Sequence, residues 1–247
     1  MLKLPKYELE RNEDGEDAIV ERARKWLEVE GKDRDPRIHA SDLLRPRKAY
    51  WNRQHKEPVT PRMVGNFMVG KVLHAFFSTL MNKKKGLSLE ETDAGGTWEP
   101  ELGITFSNDH EEADISYEYK TSRALNEQTK RDLESYLKQL GIYVAAKKRL
   151  LGRLVVLRLN AKDKAKGYGT FPQFRAYQME WTKKDMLGYR KQIVHIRTLL
   201  EKALKTKKPK DIKMLEICED WLCGKSNCGH YLKCKPEGRY GTERFDK

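Results

Sequence analysis

The sequence predicts an α/β chain of the α+β kind, in which helices flank a small mixed β-sheet. Three observations predict it. β-favouring runs separated by turn residues fill Leu87 to Ser122, and an apolar helical pattern runs from Lys130 to Leu151. Two more strands, Arg153 to Asn160 and Gln173 to Trp181, then precede a long helix from about Lys183 to Lys205. Strands, then helix, then strands again is the order of a sheet with helices on its faces. The 247 residues divide into an N-terminal helical region (1–85), the sheet-bearing core (86–205), and a basic linker with a cysteine-rich metal-binding tail (206–247).

The elements follow from local signals. Asp17 to Val29 places Ile19, Val20, Ala23, Trp26 and Leu27 on one helical stripe. Ser41 reads as the N-cap of a second helix through roughly Arg53. A third, from about Arg62 to Met81, carries Phe67, Gly70, His74 and Ser78 at helical spacing. Gly95-Gly96 marks a turn in the strand-rich region, and Ala161 to Gly169 forms a basic loop between the later strands.

Composition sets the class of partner. Of 247 residues, 50 are basic and 37 acidic, giving a net charge of +13 and a pI near 9.4. That surplus favours polyanions, nucleic acid before membrane surfaces. The apolar fraction of 38% is low, yet it is grouped periodically, as in a folded and soluble domain. No run approaches the roughly 20 apolar residues of a membrane span, and the start lacks a signal-peptide pattern. The expectation is a cytoplasmic protein without a membrane partner.

The chemistry concentrates between Gly103 and Ser122. Two β-favouring runs flank a polar turn, the pattern of a hairpin. Side chains alternate along a strand, so Glu118 and Lys120 share a face. A hairpin centred between Ala113 and Asp114 sets Asp109 opposite Glu118, with Cβ atoms about 5 Å apart. Two carboxylates at that separation can share a hard divalent cation, with a lysine beside them. Asp114 competes for the first position, but along one strand it would sit roughly 13 Å from Glu118. Asp109 is preferred on that geometry. Alone, the pattern also describes an ordinary charged edge hairpin.

Other features add weight. Gln139 and Tyr143 lie four apart on the helix that follows, so they share a helix face that should pack beside the hairpin. His74 follows Gly70 by one turn, although a lone helix histidine is more often structural. Tyr50-Trp51 and Tyr168 stand near basic residues and could stack unpaired bases; core packing is the competing reading, above all for Trp51. All four cysteines, Cys218, Cys223, Cys228 and Cys234, crowd into the last 30 residues with gaps of four, four and five. Such crowding suits one metal centre, either zinc or an iron–sulphur cluster. His230 is a possible nitrogen ligand to zinc.

In order, Gly70-x-x-x-His74, Asp109, Glu118-x-Lys120 and Gln139-x-x-x-Tyr143 resemble the PD-(D/E)XK nuclease superfamily in its RecB-like branch. The run from Ile38 to Trp51, with Arg45-Pro46-Arg47-Lys48 at its centre, and the cysteine tail are similar to the CRISPR-associated iron–sulphur exonuclease family. The resemblance covers about residues 36 to 234. It implies a restriction-endonuclease-like core and a Mg²⁺- or Mn²⁺-dependent exonuclease acting on DNA that is single-stranded or frayed at its ends. Its setting would be antiviral defence beside a CRISPR integrase, or viral or repair end-processing. It assigns His74, Asp109, Glu118 and the Tyr119 carbonyl as metal ligands and Lys120 as the residue that orients or activates water. Gln139 and Tyr143 would support the site and contact the backbone, and Arg47 and Lys48 join them in binding nucleic acid. The family has a cysteine where this chain has Arg45, so a 4Fe–4S cluster would need all four tail cysteines, stapling the tail to itself; Zn²⁺ is the alternative. Two readings from other classes are a non-catalytic nucleic-acid-binding protein and a complex-docking subunit.

Overall fold

The computed structural model describes residues 36–55, 68–73, 75–77, 96–122, 128–129, 133–162, 170–216, 230 and 234. Apart from 68 and 69, these belong to one compact unit. The expected helix at Asp17–Val29, the Gly95 half of the Gly95-Gly96 turn, Phe67, His74, Ser78, Tyr168, Cys218, Cys223 and Cys228 lie outside the described residues. The described fold is mixed α/β, with small sheets flanked by helices.

The chain enters through two short helices, α1 (Ala40–Leu44) and α2 (Pro46–Gln54). A single helix capped by Ser41 was expected, and the structure corrects this twice. His39 is the cap, its N–H donating to Asp42 Oδ2 at 3.1 Å. The helix then breaks at Arg45 (φ −144°, ψ 64°), because the proline ring disfavours a helical residue before it. Pro46, with no N–H to leave unpaired, starts the next helix.

Arg47 departs from its expected place on the nucleic-acid surface. It is buried, and its guanidinium donates to the carbonyls of Leu215 (3.1 Å) and Lys213 (2.7 Å). A cation spent on those carbonyls is an internal clamp. Lys48 is half-buried. Tyr50 is fully packed in the main core while Trp51 is only partly buried, the reverse of the expected balance between them.

A short antiparallel pair, β1 (Thr97–Glu99) and β2 (Ile104–Phe106), turns through Gly103 at φ +64°. The larger sheet has the order β3-β4-β5-β6, with β3 (His110–Glu112), β4 (Ile115–Ser122), β5 (Leu151–Lys162) and β6 (Thr170–Glu180). β3–β4 and β5–β6 are antiparallel; β4 and β5 are parallel and joined across one face by α3 (Glu134–Ala146). A parallel pair requires such a crossover. Helix α3 rests on Leu154 and Val156 through Leu140 and Val144. Gly152 permits the approach: a Cβ there would stand 2.8 Å from Val144 Cγ2 and 3.0 Å from Leu140 Cγ.

Helix α4 (Lys183–Thr206) is locked at its start by Thr182 and Asp185. The Thr182 hydroxyl accepts from the Asp185 N–H (3.2 Å), and Asp185 Oδ2 accepts from the Thr182 N–H (3.0 Å). Its Arg190 binds the Ala145 carbonyl at 2.6 Å and the carboxylates of Glu99 and Glu101, tying α3 to the small sheet. Lys207, at φ 53°, ends α4 before α5 (Pro209–Lys213). Among the described residues no helix is long and apolar enough to cross a membrane.

Candidate metal centre and nucleic-acid cleft

The pairs His110↔Tyr117, Glu111↔Ser116 and Glu112↔Ile115 fix the β3–β4 register. Continued one rung, that register sets Asp109 opposite Glu118, as the polar turn in the sequence implied. Ala113 and Asp114 form the turn, with Ala113 at φ 47°. Asp114 is exposed there, at the far end of the hairpin from Glu118.

Glu118 has no exposed surface, and Lys120 Nζ forms an ion pair with its Oε1. Asp109 Oδ2 accepts the Tyr119 N–H at 2.5 Å. Burial pushes the Asp109 carboxyl up to about 6, although the Lys120 charge and the Tyr119 N–H both pull it down. For Lys120, burial favours the neutral amine, but Glu118 and Asp109 outweigh it and hold the ammonium above its ordinary range. With both carboxylates ionised, Lys120 is therefore held as the charged ammonium.

Helix α3 supplies the roof. Gln139 Nε2 donates to Tyr143 Oη at 2.6 Å, which leaves the phenol's own proton free to be donated elsewhere. Burial, then the charges of Glu118 and Asp109, raise the Tyr143 phenol well above its ordinary range, so it remains protonated. The structure thus brings together Asp109, Glu118, Lys120, Gln139 and Tyr143, all singled out from sequence.

Two neighbours escaped that reading. The Tyr136 ring lies 6.0 Å from Lys120 Nζ. Phe77 stacks on Tyr119, with centroids 4.5 Å apart and planes within 8°. The signal for Tyr136 was its place three residues before Gln139 on one helix face. Phe77 gave no comparable signal. Residues 70–73 and 75–77 are helical, and with β4 they border a cleft of about 110 Å³ lined by Gly70, Leu73, Phe77, Tyr119, Lys120 and Thr121. Among the described residues, a Cβ on Gly70 would meet nothing within 4 Å.

The donor set fits a hard cation on charge grounds. Two carboxylates face one ammonium, and burial alone raises the Asp109 pKa, against the pull of Lys120. Among the described residues no group of three or more His, Cys, Asp or Glu gathers around one point. Of the expected side-chain ligands, Asp109 and Glu118 are described and His74 lies outside the described residues.

In the tail, His230 and Cys234 are both buried. His230 Nε2 lies 2.6 Å from Asn52 Oδ1 on α2, so any metal on this ring would fall to Nδ1. The Cys234 N–H donates to the His230 carbonyl at 3.0 Å. The tail thus touches the N-terminal helices through His230 and Asn52.

No protein-family model matches the chain, and none of the curated proteins matches it. Solved structures do. One described as the crystal structure of SSO0001 aligns with a TM-score of 0.55 at 15% identity, over 90% of this chain and 98% of its own. Likeness at that identity speaks to the fold alone.

Proposed function

We propose that this chain is a divalent-metal-dependent deoxyribonuclease built on a restriction-endonuclease-like core. The observation that carries the reading is the meeting of Asp109 and Glu118 across the β3–β4 hairpin, both desolvated, with the Lys120 ammonium in contact with Glu118. Asp109 and Glu118 would hold Mg²⁺ or Mn²⁺, joined by His74 and the Tyr119 carbonyl. When bound, the ion neutralises phosphate charge and acidifies a water. Lys120 would place a point charge beside an incoming phosphate and orient or activate the attacking water. Tyr143 donates its proton toward that charge, with Gln139 holding its hydroxyl in place. The surplus of basic residues grips the backbone without reading sequence, so affinity falls steeply with salt.

Single-stranded or frayed DNA ends are the proposed substrate, and a CRISPR integrase or a viral or repair end-processing complex the proposed setting. For the tail, we propose that Cys218, Cys223, Cys228 and Cys234 hold a 4Fe–4S cluster; burial of Cys234 supports an enclosed centre. The test of the nuclease reading is incubation with labelled single-stranded DNA, with Mn²⁺ or with EDTA. Cleavage that needs Mn²⁺ and disappears in Glu118→Ala and Lys120→Ala is the expected result. Tight binding without cleavage in any divalent metal would instead mark a nucleic-acid-binding protein.

A further inference from the structure

Beyond Asp109, one edge of β4 stands open beside the cleft. The Tyr119 N–H points to the β3 side of that strand, where Asp109 Oδ2 accepts it. Backbone groups alternate sides along a strand, so the Tyr119 carbonyl and the N–H and carbonyl of Thr121 point to the same side. Those of Glu118, Lys120 and Ser122 point the other way, into the parallel ladder with β5. Strand β3 begins at His110, opposite Tyr117, so it stops short of Thr121. Among the described residues no group accepts the Thr121 N–H. Thr121 is half-buried and lines the cleft with Tyr119 and Lys120.

A backbone N–H that is outside the ladder and partly withdrawn from water calls for a partner. Two residues of strand span about 7 Å, so this donor follows the Tyr119 carbonyl, the proposed metal ligand, by less than that. An anion with two oxygens can place one on the ion and the other on the N–H. The carbonyls on either side of the donor disfavour an anion, and the ion together with the Lys120 ammonium offsets them. We propose that the Thr121 N–H is a phosphate-binding donor of the nuclease site, which takes a non-bridging oxygen of the phosphodiester that the ion holds. The bond strengthens as negative charge builds on that oxygen in the transition state. A main-chain group on a strand is already in place before substrate arrives, so no reorganisation opposes it. The contact is to phosphate alone and carries no base preference. The inference deepens the nuclease reading and rests on it for the choice of phosphate as ligand and of the Tyr119 carbonyl as a metal ligand.

The test has a binding arm and a kinetic arm, both on the full chain. For binding, protein carrying isotope-labelled threonine is titrated with thymidine monophosphate in Mg²⁺ and followed by nuclear magnetic resonance. Thymidine, which lacks the phosphate, is the control. The Thr121 amide proton, assigned from the peak lost in Thr121→Ser, should move downfield with the monophosphate and stay in place with thymidine. For kinetics, Thr121 is replaced by its α-hydroxy acid through nonsense suppression, which exchanges the N–H for an ester oxygen and keeps the side chain. Single-turnover cleavage of single-stranded DNA in Mn²⁺ should slow by about 100- to 1000-fold, the usual loss of one preorganised donor, while Mn²⁺ uptake is retained. A wild-type rate in the ester protein, a rate lost together with Mn²⁺ uptake, or a Thr121 amide that the monophosphate does not move would each overturn the proposal. Failure of the parent reading looks different: no divalent ion gives cleavage, yet the monophosphate still moves the Thr121 amide.

Discussion

Replacing Asp109 by asparagine should stabilise the metal-free protein while removing its activity. Asparagine has nearly the same shape and still offers a carbonyl oxygen to the Tyr119 N–H, so the packing and that hydrogen bond survive. What changes is the charge. The fold raises the Asp109 pKa from 3.8 to about 6, chiefly through burial. The folded state therefore prefers the protonated acid. Its contribution is fully present below about pH 4 and is lost as the pH rises through about 6. At pH 7.5 the ionised side chain costs up to about 3 kcal/mol relative to a neutral one. For a chain of this size that is roughly 6–12 °C in Tm. Thermal unfolding in EDTA should show Asp109→Asn matching wild type below pH 4, pulling ahead between pH 4 and 6, and holding a constant lead above that. Added Mn²⁺ should close the gap by stabilising only wild type. An Asp109→Asn protein no more stable than wild type at pH 7.5 in EDTA would refute the reasoning.

The remaining predictions concern the rest of the site and its frame. Lys120→Ala should lower the cleavage rate by about 100- to 1000-fold, the usual loss of a preorganised charge, read in single-turnover assays. Ala113→Gly should raise stability by about 1 kcal/mol, because glycine relieves the positive φ at the hairpin turn; the midpoint of urea unfolding reports it. Gly152→Ala should cost about 1–3 kcal/mol by pushing α3 off the sheet, measured the same way. Protein purified without oxygen should be brown with a broad visible absorbance, and a colourless preparation with one zinc per chain would refute the cluster.

The site was legible in the sequence where local geometry left little choice. The polar turn between Glu112 and Ile115 fixes the hairpin centre, and strand alternation then decides which side chains face each other. That is why Asp109 and Glu118 were paired correctly, and why helical periodicity united Gln139 with Tyr143. Order and type of elements from β4 to α4 followed from the same periodicities. The misses arose where tertiary contacts decide. Pro46 was read inside a helix although it forbids a helical residue before it. Arg47 looks like a surface cation until the carbonyls of Lys213 and Leu215, some 166 residues away, claim it. Phe77 owes its place against Tyr119 to packing between distant segments that no local pattern announces.

The central claim is that paired acids on the β3–β4 hairpin hold a divalent ion. Electron paramagnetic resonance of free Mn²⁺, titrated with the protein, tests it without reference to activity. The account predicts that wild type removes Mn²⁺ from solution, that Glu118→Gln and Asp109→Asn each weaken this sharply, and that Asp114→Asn leaves it unchanged. Equal Mn²⁺ uptake by wild type and the Asp109→Asn, Glu118→Gln double variant would contradict it.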